Sequence, residues 1–227
     1  LNGFNNSFAS VTFGGAGATA TSTNNISTGS GILTLLGGVT YLGTNNPLAS
    51  TLSGNVSLGG TAAGTGLPGA ATRTFTIGDS TNVPAGTAEL EVSALITDGT
   101  GSSTDSVVKA DAGTLYFSNT GNTYSGTTSI NAGTLQVAKL ADGGAASSIG
   151  DSNSDAGNLV INGGTLSYVG TGATDGTTNR QFTIGTGGAT LNASGAAGSP
   201  MVFTSTTAPA VPTAATSRTL TLTGTNT

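Results

Sequence analysis

The sequence has no cysteine, no histidine and no tryptophan, and only 7% of its 227 residues are charged. Without cysteine, no disulfide marks the compartment, so an extracellular location has to be argued from something else. Without histidine, the commonest general acid–base group is missing. The five cations, Arg73, Lys109, Lys139, Arg180 and Arg218, are scattered along the chain. Nucleic-acid binding needs clustered Lys and Arg to displace counterions, so that class is excluded. No apolar run approaches the roughly 18 residues of a membrane-spanning helix, so this segment is not expected to insert in a bilayer. The chain opens at Leu1 without an initiator Met or a signal peptide, and it stops in a strand-like run at Thr227. It is read as a piece of a longer protein.

What the chain does contain is apolar residues at 35%, 38 glycines, a net charge of only −5, and many Thr, Ser and Asn. Low net charge with that apolar content argues against disorder. Thr favours strands, and Gly and Asn take the φ > 0 positions of tight turns. The mixture predicts an all-β chain of short strands joined at sharp corners. Gly and Pro punctuation is too dense for a helical period to persist.

Residues 122–138 organise the rest. Tyr124-Ser125-Gly126 ends a polar run, Thr127 to Ile130 are β-formers, and Asn131-Ala132-Gly133 turns the chain. Thr134 to Ala138 then alternate, with Leu135 and Val137 on one face. Gly133-Thr134-Leu135 is preceded by Gly113-Thr114-Leu115 and followed by Gly164-Thr165-Leu166, with a variant at Gly188-Ala189-Thr190-Leu191. A β-motif recurring every ~20–30 residues marks a solenoid with one coil per repeat. At ~20–25 residues per coil the chain makes ~9–11 coils, with Leu115 under Leu135 and Phe117 under Val137. Stacked β-sandwich repeats are the alternative.

Elsewhere, Val11 to Phe13, Ile32 to Leu36, Val39 to Leu42, Asn55 to Leu58, Arg73 to Ile77 and Glu89 to Val92 read as strands. Gly14 to Gly31 reads as loop, and Pro47 lies in a turn. In the Glu89–Val92 run, Leu90 and Val92 are expected inward, and Glu89 and Glu91 outward. Gly54–Gly60 resembles Gly157–Gly164, and Arg73–Gly78 resembles Arg180–Gly185, at offsets near 105. The chain is therefore read as one solenoid segment, residues 1–227, with internal modules at about 38–112 and 113–227.

Residues 115–137 resemble the autotransporter-associated β-strand repeat, on Asn122-Thr123-Tyr124-Ser125-Gly126 and Asn131-Ala132-Gly133-Thr134-Leu135. The repeat residues singled out are Tyr124, Gly126, Asn131, Gly133, Thr134, Leu135, Gly164 and Leu166. Ser125-Gly126-Thr127 has one Gly where the family often has two. The resemblance implies a right-handed parallel β-helix, exported by a Gram-negative-type bacterium and displayed outside the cell.

Candidate chemistry is sparse. β-Helix lyases and hydrolases need paired carboxylates or a Ca²⁺ site with a basic residue, and the ten acids here are spread out. Asp98 and Asp105 flank a Gly/Ser loop. No cofactor is expected other than calcium. Asp151, Asn153 and Asp155 match the first half of a Ca²⁺ loop, but Ala156 replaces the required Gly and Asn162 the bidentate Glu. Tyr41, Tyr116, Tyr124 and Tyr168 are expected as packing at coil edges with wet hydroxyls, or as a sugar-binding stack. The resulting expectation is a non-enzymatic extracellular rod, fibre or layer component that self-associates end to end or laterally. An adhesin or glycan-binding module is the alternative, and a lyase-like β-helix a third reading.

Overall fold

The computed structural model describes residues 1–15, 24–44, 48–59, 70–100, 104–212 and 217–225. Pro47 lies outside them. Every pairing between named strands is parallel, which selects the β-helix over stacked sandwiches. One sheet stacks Asn6–Phe8, Ile26–Leu35, Ser50–Ser57, Leu90–Val92, Thr114–Phe117, Thr134–Val137, Thr165–Tyr168, Ala189–Ala193 and Leu220–Thr223, with Leu95–Thr97 also pairing Ser50–Ser57. The second stacks Val11–Phe13, Val39–Tyr41, Thr72–Ile77, Ser106–Ala110, Thr128–Ile130, Leu159–Ile161 and Thr183–Ile184. Thr177–Thr178 and Val202–Phe203 form a two-stranded third sheet. The helical content of the described residues is one short 3₁₀ turn, Ala156–Asn158, and no helix is long and apolar enough to cross a membrane.

The recurring Gly-Thr-Leu sets the stacking register. Leu90, Leu115, Leu135, Leu166, Leu191 and Leu222 form one inward column. Leu52, Val92, Phe117, Val137 and Tyr168 form the next. Thr114, Thr134, Thr165, Thr190 and Thr221 line up on the outer face. Alternation of side chains along a strand produces this in/out division, and identical residues repeat because each rung sits directly on the last. The predicted pairings Leu115–Leu135 and Phe117–Val137 are both present. Between the sheets, Phe75 meets Phe117 edge to face at 5.6 Å.

Coil length is less uniform than the expected 20–25 residues. Leu115 to Leu135 takes 20 residues (135 − 115), but Ser50 to Leu90 takes 40 (90 − 50), because excursions leave the corners between rungs. Ile26–Gly31 was expected in a loop and is strand, because it pairs with Ser50–Ser57 across a register shift. Of the duplicated blocks, Arg73–Gly78 and Arg180–Gly185 both contribute to the second sheet. Asn55 to Ser57 lies in the first sheet and Leu159 to Ile161 in the second.

Leu135 is fully buried between Leu115 and Leu166. Truncating it leaves a cavity that rigid rungs above and below cannot close. Leu135→Ala is expected to destabilise the fold by about 3 kcal/mol. Gln136→Ala, one residue along and facing out, is expected to cost less than about 0.5 kcal/mol. Chemical denaturation of the two variants checks the contrast.

Candidate functional site

Apart from Arg73, Glu91 and Lys109, which lie in strands, the charged residues that the sequence scatters fall outside the strands, and most of the chain's charged residues serve backbone groups. Parallel rungs satisfy one another along the strands, but a turning chain leaves amides and carbonyls without partners, and burying them so is costly. Asp98 accepts from Ser125 N at 3.1 Å, Ser125 Oγ at 2.6 Å and Asp105 N at 2.9 Å. The buried Asp105 accepts from Ala71 N and Gly99 N, both at 2.7 Å. These two acids therefore form a latch between coils. Tyr124-Ser125-Gly126 is the other half of it. Ser125 meets Asp98, and Gly126 N donates to Asp105 O at 3.0 Å. A Cβ on Gly126 would sit 2.4 Å from that same oxygen.

The remaining repeat residues are also stacking devices. Asn131 N donates to Lys109 O. Gly133 has φ +62° and presses on the carbonyls of Asp111 and Gly113, so a side chain there is both strained and blocked. A Cβ on Gly164 would strike Ile130 Cγ2 at 2.5 Å. Thr134, Leu135 and Leu166 belong to the columns described above.

Several sequence expectations are corrected. Glu89 was expected to point outward, yet it is 3% exposed and accepts from Thr114 N at 2.6 Å and Ser80 N at 3.4 Å. Burial raises its pKa against those hydrogen bonds. It precedes the strand Leu90–Val92, so strict alternation does not reach it. The tyrosines were expected to keep wet hydroxyls, but Tyr41, Tyr124 and Tyr168 are buried. Their hydroxyls bond Leu48 O at 3.1 Å, Thr128 Oγ1 at 2.7 Å and Ser199 Oγ at 2.5 Å. No row of exposed aromatics runs over successive coils among the described residues; the large exposed ones are Phe4 and Phe8, both at the first coil.

Three buried polar side chains carried no signal as site residues. Asn122 accepts from Ile96 N at 2.9 Å and donates to Ser148 O at 3.0 Å, so one amide ties together three levels of the stack. Arg180, 2% exposed, donates through Nε to Ala141 O, through Nη1 to Ser152 Oγ, and through Nη2 to Ala145 O and Gly150 O. That fork pins the excursion 139–155 to the rod, a task suited to a planar multi-donor group. Lys109 occupies an inward column whose other members are Val11, Val39, Phe75, Ile130, Ile161 and Ile184. It is fully buried, and Nζ donates to Ala110 O at 2.9 Å, Asp111 O at 2.6 Å and Ala132 O at 3.1 Å. Desolvation pulls its pKa from 10.5 down to about 8, against the opposing pull of Asp111 and Glu89.

The calcium candidates lie in the loop that Arg180 pins. Asp151 is half-buried, and its pKa is raised by desolvation and by Asp98. Asn153 and Asp155 are exposed. Asn153 Oδ1 already accepts from Asp155 N at 3.0 Å and Asn158 Nδ2 at 2.5 Å, within its own turn. Among the described residues, no three His, Cys, Asp or Glu side chains converge in a way that holds a metal ion.

Two comparisons bear on this geometry. The passenger-associated-transport-repeat family matches residues 107–137, which take in Lys109, the Tyr124-Ser125-Gly126 latch and the 20-residue coil. The chain is 38% identical over 216 residues to the adhesin BmaC autotransporter of Brucella suis biovar 1 (strain 1330), covering 94% of this chain and 6% of that protein. The chain thus corresponds to a small fraction of its relative's length. No solved structure matches it.

The depressed pKa of Lys109 has a definite sign. Between about pH 8 and pH 10.5 the folded chain has released this proton while the unfolded chain still holds it. Unfolding then takes up a proton, so stability rises with pH across that window and the gain is lost as pH falls through about 8. Wild-type protein is expected to gain stability relative to Lys109→Met on titration from neutral pH towards 10.5. Denaturation curves at stepped pH check this, and parallel behaviour of the two proteins contradicts the assignment.

Proposed function

The chain carries the autotransporter-associated strand repeat, and from that premise we propose that it is a spacer segment of a cell-surface passenger. Its work is mechanical and non-enzymatic. It lies outside a Gram-negative-type bacterium, within a far longer adhesin-like protein, and holds other parts of that protein away from the envelope.

The observation that carries this reading is the use of the polar side chains. Asp98, Asp105, Glu89, Lys109, Arg180 and Asn122 all bond backbone groups or loop anchors. A carboxylate engaged by two amides is not poised as an acid, a base or a nucleophile. The nine-rung first sheet, at about 4.8 Å per rung, accounts for a rod of roughly 40 Å. The relative's printed name, an adhesin autotransporter, fits a surface role.

The rod reading is tested by lengthening it. Tandem duplication of residues 114–133 inserts one complete coil with its own Thr, Leu and Gly positions in register. The product is expected to unfold cooperatively and to be longer by about 4.8 Å, as read by small-angle scattering. Inserting half a coil sets first-sheet strands against second-sheet positions, takes the leucine column and the corner glycines out of register, and is expected to abolish cooperative unfolding. If the full-coil duplication also fails to fold, the spacer reading is wrong.

A further inference from the structure

A groove of about 460 Å³ opens at the corner that follows the second sheet in three consecutive coils. Its volume falls in the roughly 300–1,000 Å³ range of small-molecule sites. The residues lining it include Thr40, Thr44, Thr76, Asp79, Asp111 and Leu42. Among the described residues, no Lys or Arg lines it.

Two features make this corner a shaped one. Gly43 and Gly78 bring successive turns into backbone contact: a Cβ on Gly43 would lie 2.2 Å from Asp79 O, and one on Gly78 would lie 2.8 Å from Gly43 N. The functional side chains therefore come from the rim. Second, Asp111 is held at φ +66°, in the left-handed region that residues other than Gly, Asn and Asp rarely enter. The group that holds it there is Lys109, whose ammonium grips Ala110 O, Asp111 O and, from the next coil, Ala132 O. An isoleucine or phenylalanine fills that inward slot in neighbouring coils, so stacking alone does not call for a buried charge. What the lysine adds is a fixed carbonyl pair beneath Asp111. Asp111 Oδ1 also accepts from Ala112 N at 2.8 Å, which orients the carboxylate.

We propose that this groove binds a neutral saccharide unit of a glycan. Carboxylates and threonine hydroxyls accept hydrogen bonds from sugar hydroxyls, and Leu42 offers an apolar surface to a ring face. Two carboxylates, with no Lys or Arg among the described lining residues, disfavour sialylated or uronic acid sugars. The inference rests on the surface-display reading above and gives that display a ligand class. Asp79 and Asp111 are binding residues, and Lys109 is a positioning residue.

The test is a titration of the 227-residue chain, followed by amide chemical shifts, with methyl β-galactoside, methyl α-mannoside and N-acetylglucosamine at millimolar concentration. Each is run in chelator and again with calcium, and sialic acid serves as the acidic comparison. The expected result is shifts confined to residues 40–44, 76–79 and 110–112 with at least one neutral sugar, and none with sialic acid. Asp79→Asn is expected to weaken binding about tenfold. Lys109→Met is expected to weaken it while leaving the shifts of the leucine column in place. Shifts with calcium alone, equal response to sialic acid, or no response to any of the three neutral sugars each overturn the proposal. Such a failure leaves the spacer reading standing, because the coil duplication judges that separately.

Discussion

A corner takes backbone groups out of the parallel ladder, and the rest of this structure depends on how they are satisfied. Along the strands the problem does not arise, because every interior rung bonds the one below and the one above. At the turns, buried amides and carbonyls need partners, and an unmet one costs on the order of 1–3 kcal/mol. The chain meets this need with the few charged and amide side chains it has. Carboxylates go to N–H groups, as at Asp98, Asp105 and Glu89. Cations go to C=O groups, as at Lys109 and Arg180. Asn122 serves both at once. The low charge content and the intactness of the corners are therefore one fact. The buried charges, Glu89, Asp105, Lys109 and Arg180, serve backbone groups where the ladder is broken.

This division explains what was legible in the sequence. The Gly-Thr-Leu recurrence is a direct image of the stack, since each copy occupies the same slot on a different rung. Leu115 over Leu135 and Phe117 over Val137 were both readable from spacing alone. Alternation identified the inward residues wherever it persisted, as at Leu90 and Val92. It failed at Glu89, which stands just outside its strand, where a corner decides direction. It was also blind to Lys109, which looks like one of several dispersed cations until Phe75 and Ile130 are seen on either side of it. Its inward position follows from the register, which is a tertiary property. The tyrosines misled for a related reason: Leu48 and Ser199 lie outside the repeating strands, and Thr128, though it begins a second-sheet strand, is buried where the Tyr124 hydroxyl reaches it.

The excursions also account for the spread in coil length. The turn between the sheets is closely constrained by glycines, but a loop that leaves the rod and returns to the same corner adds residues without altering the rung. Loop-closure entropy grows only slowly with length, so a coil of 40 residues stacks as well as one of 20. The candidate groove lies where such variation meets constraint. Three corners pack on each other through bare backbone, and the one left-handed aspartate is held beneath by a buried ammonium.

Asn122 has a consequence for how such a rod bears load. Tension along the axis pulls rungs apart face from face, so the interfaces act in series and the weakest one opens first. An amide that grips Ile96 on one level and Ser148 on another reinforces two of those interfaces from a single side chain. Each still opens on its own, in series, but the force needed to open either one rises. A chain built this way resists stretching most where its side chains reach across more than one rung.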